Sequence, residues 1–252
     1  MIHFAAEGVV GTITLGRPPV NAIDPEFVTA MHAALDAAQS AAPTALVIRS
    51  TQKCFCAGAD LSMIGGFFNA ANGTALMEDY VRSLHALFDR LEAFPAVTLA
   101  AINGPALGGG LELALACDLR IASSRIQLGL PEARVGMIPG AGGTQRLTRL
   151  CGPGIAARLI LGGETVDGTE AARLGIVQWA AEADALDALV QKTSERIAGL
   201  SRQALLASKD CIAAWNDPQI DGFAREIEKP RELMPTEEAR NRVLSFFRRK
   251  AS

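Results

Sequence analysis

Val97-Thr-Leu-Ala-Ala-Ile-Asn-Gly-Pro-Ala-Leu-Gly-Gly-Gly-Leu-Glu-Leu-Ala-Leu-Ala-Cys-Asp-Leu-Arg-Ile-Ala122 is the stretch on which the fold turns. Val97 to Ile102 is short and almost continuously apolar, as a strand covered on both faces must be. A glycine-rich turn follows over Gly104–Gly110, Leu111 to Cys117 has helical character, and Leu119 to Ala122 returns as a strand. Strand, tight turn, helix and strand in quick succession define an α/β protein.

The same alternation continues towards the N-terminus. Val9 to Leu15 alternates Thr with Val, Ile and Leu and predicts a strand. Asn21-Ala-Ile-Asp-Pro opens a helix, with Asp24 as N-cap and Pro25 at the first helical position, running to about Ala41. Ala45 to Ser50 predicts a second buried strand. Leu76 to Phe94 predicts a helix with an apolar face at Leu76, Tyr80, Leu84, Leu87 and Leu91. Between them, Gly65 to Gly73 is rich in Gly and Asn and is expected to be a loop. From Gly154 onward helix signals follow one another with hardly a strand between them. Asp167 and Gly175 bracket one short helix, and Thr236-Glu-Glu starts the last. The map is an α/β core of about 150 residues followed by a helical tail.

Bulk properties narrow the function. The chain has 252 residues, is 49% hydrophobic and carries a net charge of −3, which excludes a broad basic surface for nucleic acid. Its one concentrated basic run, Arg248-Arg249-Lys250, suits the last turn of a helix, with a phosphate contact as the alternative. The five cysteines (Cys54, Cys56, Cys117, Cys151 and Cys211) form no regular framework and are expected to be reduced core residues. No signal-like N-terminus and no bilayer-length apolar run is present, so the expected location is the cytoplasm, with no membrane partner.

Three segments carry chemistry: Cys54-Phe-Cys-Ala-Gly-Ala-Asp60, Asn103 to Asp118, and Leu130-Pro-Glu-Ala-Arg-Val-Gly-Met-Ile-Pro-Gly-Ala-Gly-Gly-Thr-Gln-Arg146. Glycines 108, 109 and 110 let backbone N–H groups approach a ligand, and the following helix adds its positive dipole end. That combination suits an oxygen gaining negative charge. Alone it reads first as a turn for tight helix–strand packing. Ala57-Gly-Ala-Asp60 supplies a second such loop, also after a strand, and two donors from separate loops can converge on one oxygen. Glu112 sits among Leu111, Leu113, Ala114 and Leu115, where a carboxylate is costly unless paired or functional. Glu132 follows Pro131 between Leu130 and Val135. Both suit an acid/base pair, and both have a structural capping or pairing role as the alternative.

Together these segments resemble the crotonase (enoyl-CoA hydratase/isomerase) superfamily, from about Val9 to Lys250. The resemblance implies a spiral of repeated ββα units over 1–195, a C-terminal helical oligomerisation or capping region over 196–252, and homotrimers that pair into hexamers. It places the oxyanion hole at the N–H groups of Ala59 and Gly109 and the catalytic glutamates at Glu112 and Glu132. It places acyl-CoA contacts at Ala57, Asp60, Leu61 and Ser62. The implied reaction is hydration of an enoyl-CoA thioester, with no metal and no cofactor beyond the coenzyme A of the substrate. The signatures HExxH, GxGxxG after a strand, a Walker A lysine and GxSxG are missing from the sequence. Two features depart from many hydratases: Leu61-Ser-Met-Ile has no lysine, and the segment after Arg248 has no clear aromatic and lysine contacts for an adenine. Phe67-Phe68 either lines the acyl pocket or packs on a neighbouring helix. Rival readings on the same fold are an enoyl-CoA isomerase, which needs one carboxylate, a decarboxylase or a thioester hydrolase. A non-catalytic acyl-CoA- or RNA-binding protein is the rival outside enzymes.

Overall fold

The computed structural model describes residues 1–217 and 219–250, the last two by backbone alone. In chain order the elements are β1 (Ile2–Glu7), β2 (Val10–Leu15), α1 (Pro25–Ala41), β3 (Ala45–Ser50), α2 (Leu61–Phe68), α3 (Gly73–Glu92), β4 (Val97–Ile102), β5 (Ala106–Leu107) and α4 (Gly109–Leu115). There follow β6 (Leu119–Ser123), β7 (Gln127–Gly129), α5 (Gly143–Cys151), α6 (Pro153–Ile160), β8 (Thr165–Asp167), α7 (Gly168–Arg173) and β9 (Trp179–Ala181). The chain closes with α8 (Leu186–Ala198), α9 (Arg202–Ala213), α10 (Gly222–Leu233) and α11 (Glu237–Lys250).

The larger sheet has six strands in the order β1-β2-β3-β4-β6-β9, and a smaller one runs β5-β7-β8. Only the β1–β2 hairpin is antiparallel in the larger sheet. Parallel single bridges, Ile23 to Ala59 and Cys56 to Ala106, extend the smaller layer towards the N-terminus. Successive turns of chain therefore place one strand in the large sheet and a short extended segment in the second layer, and then turn into a helix. This is the repeated ββα spiral that the resemblance implies.

Period-two alternation explains why the central strands read as continuous apolar runs. Leu46 and Ile48 of β3, and Ala100 and Ile102 of β4, enter the main core with Phe27, Met31 and Leu35 of α1 and Leu87 and Phe88 of α3. Val47, Leu99, Ala101 and Ile121 face the other way and are covered by Leu186 and Val190 of α8. Asp24 caps α1 by accepting from Phe27 N at 2.7 Å, with Pro25 next, as its sequence predicts.

Several expectations need correction. β1 gives no strand signal in the sequence because His3 and Glu7 break its apolar pattern, and only Ile2 of its side chains is buried. Residues 65–68 are not loop but the end of α2, because Asp60 Oδ1 caps that helix by accepting from Ser62 N and Met63 N. The core also runs past 150 residues: three-residue strands β8 and β9 are too short to show periodicity, and β9 completes the large sheet. The 195/196 division falls within α8. Cys54, Cys56 and Cys117 are buried, whereas Cys151 and Cys211 are partly exposed. The basic run ends α11, but the side chains of Arg249 and Lys250 lie outside the described residues. No helix among the described residues is long and apolar enough to cross a membrane.

A polar clip helps pin helix α9 beside the sheet. Lys209 Nζ donates to Asp118 Oδ2 at 2.8 Å and to the carbonyls of Phe94 and Ala96. The same Asp118 oxygen accepts from Thr98 N and Thr98 Oγ1. Asp118→Ala leaves the Lys209 ammonium without its counter-charge and the Thr98 amide without its carboxylate acceptor, and is expected to lose roughly 3 kcal/mol. Breaking the exposed Arg173–Glu170 pair is expected to leave stability nearly unchanged, because solvent screens it. Urea midpoints of the two variants check the contrast.

Candidate active site

Glu112 lies in the first turn of α4, where a carboxylate meets the positive end of the helix. It is 2% exposed. Its Oε1 accepts from Ala141 N at 2.8 Å and Gly143 N at 2.7 Å, so the loop leading into α5 wraps around the carboxylate. That loop is held from outside: Arg146 Nη1 donates to Ala141 O at 3.0 Å while its other nitrogens bind Asp89 and Glu92 of α3. His85 Nε2 is 2.8 Å from Gly140 O. Burial pushes the Glu112 carboxyl up to about 7; the amide of Gly143 pulls it back down, and the neighbouring Glu132 adds to the rise.

Glu132 opens the 3-10 turn Glu132–Val135. Its Oε1 stands 2.8 Å from where a side chain on Gly108 would begin, so the carboxylate rests against the Gly108 backbone. Its Oε2 is buried with no hydrogen-bond partner among the described residues. Burial raises this carboxyl too. The two glutamates flank the turn into α4.

Two backbone donors face the same space. A peptide's C=O and N–H point in opposite directions across one plane. Gly58 O accepts from Ile23 N at 2.8 Å, which turns the Ala59 N–H of the same peptide the other way. Gly108 O accepts from Leu111 N and Glu112 N inside α4, which turns the Gly109 N–H outward. Among the described residues neither donor has an acceptor in the protein. Gly58 lets their loops touch: at φ +94° it takes a conformation other residues avoid, and a Cβ there would lie 2.8 Å from Leu107 O and 3.1 Å from Gly109 N.

Donors and carboxylates open onto one cavity of about 260 Å³. Ala57, Ala59, Leu61, Gly109, Glu112 and Glu132, all singled out in the sequence, line it. Asp60 and Ser62 lie outside the lining, since Asp60 is occupied in capping α2 with the Ser62 and Met63 amides. The apolar wall comes from Met77, Tyr80 and Leu84 of α3 and from Met137 and Ile138. Tyr80 and Leu84 gave only the signal of a helix's apolar face, and that face serves core and cavity alike. Phe67 packs edge-on against Tyr80, with ring centroids 6.4 Å apart, and Phe68 is exposed; neither lines the cavity.

Comparison with known proteins agrees with this architecture. The family described as "Enoyl-CoA hydratase/isomerase" matches residues 5–250. A "Probable enoyl-CoA hydratase" of Bacillus subtilis is 33% identical over 99% of this chain and 96% of its own length. The "Short-chain-enoyl-CoA hydratase" of Clostridium acetobutylicum is 33% identical over 97% of this chain and 93% of its own. The crystal structure of an enoyl-CoA hydratase from Bacillus anthracis superposes with a TM-score of 0.89 at 32% identity, covering 99% of this chain and 96% of that one. The scaffold and its matches thus define a crotonase-fold protein. This chain belongs to the enoyl-CoA hydratase/isomerase family.

The raised Glu112 carboxyl sets a pH dependence of stability. The folded protein retains this proton after the unfolded chain, with its ordinary value of 4.5, has released it. The stabilisation is complete below about pH 4.5 and is lost as pH rises through about 7. Glu112→Gln keeps an oxygen for Ala141 and Gly143 and carries no charge. It is expected to be more stable than wild type at pH 8, by roughly 1–3 kcal/mol, with the advantage shrinking at pH 5. Denaturant midpoints of both proteins at the two pH values check this.

Proposed function

We propose that this chain is an enoyl-CoA hydratase, adding water across the 2,3 double bond of an enoyl-CoA thioester to give the 3-hydroxyacyl-CoA. The observation that carries this reading is a buried carboxyl and a partly buried one, both shifted upward, flanking a turn whose N–H, like a second N–H facing it, has no acceptor among the described residues. The family match and the hydratases among the relatives support it.

In this mechanism the thioester oxygen sits between the N–H groups of Ala59 and Gly109. They draw charge from the conjugated system, make Cβ electrophilic and stabilise the enolate that forms. One water lies between the two carboxyl groups. Glu112, ionised, takes a proton from it as the oxygen bonds to Cβ. Glu132, protonated, gives its proton to Cα as the enolate collapses. The proton on Glu112 then returns the pair to its starting state. An unpartnered, buried Oε2 on Glu132 is what a carboxyl that must hold and then release a proton requires. Coenzyme A enters as part of the substrate, bound along Ala57 and Leu61, and no metal or redox group takes part.

Hydration separates from isomerisation by its use of the second carboxylate. The protein is also expected to act in the cytoplasm as a homotrimer or homohexamer. Exposed Phe223, Ile227, Met234, Phe246 and Phe247 on α10–α11 support self-association.

The test is the loss of conjugated enoyl-thioester absorbance with crotonyl-CoA. Wild type is expected to consume it rapidly, and Glu112→Ala and Glu132→Ala are each expected to be about 10²–10⁴-fold slower. Tight thioester binding without hydration in wild type would contradict the reading. A rate unaffected by loss of Glu132 would favour an isomerase.

A further inference from the structure

Tyr80 is the one buried hydroxyl of the cavity wall that the proposed chemistry leaves unused. Its Oη donates to Ile23 O at 2.9 Å, a contact across 57 positions of sequence. Ile23 is the residue bridged to Ala59. Its N–H donates to Gly58 O at 2.8 Å, and its carbonyl accepts from Asp60 N at 2.9 Å. Both peptides around Ala59 are therefore tied to this one residue: the Gly58–Ala59 peptide through its carbonyl, the Ala59–Asp60 peptide through its N–H.

Ile23 is itself fixed from two sides. On its N-terminal side Asn21 is fully buried at φ 52°, and its side-chain amide donates to Ser50 Oγ at 2.8 Å and Phe55 O at 2.9 Å. On the other side stands Tyr80, the only side chain that donates to the Ile23 carbonyl among the described residues. Burial pushes the Tyr80 phenol far up, so it stays a protonated donor. The phenol and the Asp60 N–H share one carbonyl oxygen, and so the phenol sets where that oxygen lies and with it the tilt of the peptides on either side of Ala59.

We propose that Tyr80 is a positioning residue for the reaction: through the Ile23 carbonyl it aims the Ala59 N–H at the thioester oxygen. This deepens the hydratase reading and rests on Ala59 being an oxyanion donor. Tyr80 itself transfers no proton. Its ring forms part of the acyl wall and its hydroxyl holds the second layer of the spiral in register with α3.

The test uses Tyr80→Phe, which removes only the hydroxyl and keeps the ring beside Phe67. Ser83→Ala is the control, because Ser83 Oγ donates to Tyr80 O at 2.6 Å and its loss removes a comparable bond from α3 without touching Ile23. The first readout is the infrared carbonyl stretch of bound butanoyl-CoA, isotopically labelled at its carbonyl, which is saturated and does not react. The second is the split between kcat and KM with crotonyl-CoA. Wild type and Ser83→Ala are expected to lower the stretch equally. Tyr80→Phe is expected to lower it less and to reduce kcat about tenfold, with KM within about twofold. A Tyr80→Phe protein with the wild-type stretch and kcat, even if less heat-stable, overturns the assignment. So does an equal loss in Ser83→Ala, which would mean general loosening of α3, or the lack of any lowered stretch in wild type. If wild type lowers the stretch but does not hydrate crotonyl-CoA, the hydratase reading fails and the comparison of stretches still decides the role of Tyr80.

Discussion

A carboxylate with 2% of its surface exposed, held by the amides of Ala141 and Gly143, is the constraint around which the rest of this protein is arranged. An ion in an apolar setting must be compensated or must give up its charge. Here compensation is partial. Two amides and the start of α4 favour the anion, while burial and Glu132 oppose it, and the balance falls at about 7. A group balanced there both accepts and returns a proton near neutral pH, which is what general acid/base chemistry demands.

Holding that balance requires rigidity from several directions, and the spiral supplies it. Each turn of chain brings a loop to the same end of the sheet, so α4, the loop before α5 and the Ala57–Asp60 loop meet although they are far apart in sequence. Arg146 and His85 hold the Glu112 loop to α3. The bridges from Ile23 to Ala59 and from Cys56 to Ala106 tie the second layer together. The free N–H groups of Ala59 and Gly109 point into the cavity because the carbonyls of their own peptides are bound elsewhere. Donor direction is thus a property of the fold rather than of any one side chain.

Much of this was legible in the sequence, for identifiable reasons. Ala45–Ser50 and Val97–Ile102 are buried on both faces, so their composition alone marks them and their bounds. Asp24-Pro25 fixes the start of α1 by local hydrogen bonding. Glu112 stands out because a charge among leucines has few innocent explanations. What was not legible depends on long-range partners. Strands β8 and β9 have three residues each and exist only because neighbouring strands bind them. The helix over 65–68 depends on the Asp60 cap overriding two glycines, and that same cap removes Asp60 and Ser62 from the cavity lining. Tyr80 was visible as one position on an apolar face, and its hydroxyl's partner at Ile23 was not.

The most direct test of the account is the titration of Glu112 itself, followed by carboxyl infrared difference spectra of wild type, Glu112→Gln and Glu132→Gln. The account predicts a carboxyl in wild type that ionises near pH 7, is lost in Glu112→Gln, and moves downward when Glu132 is neutralised, since that neighbour contributes to the rise. A protein whose carboxyls all ionise below about pH 5, in the range of ordinary exposed groups, would contradict it.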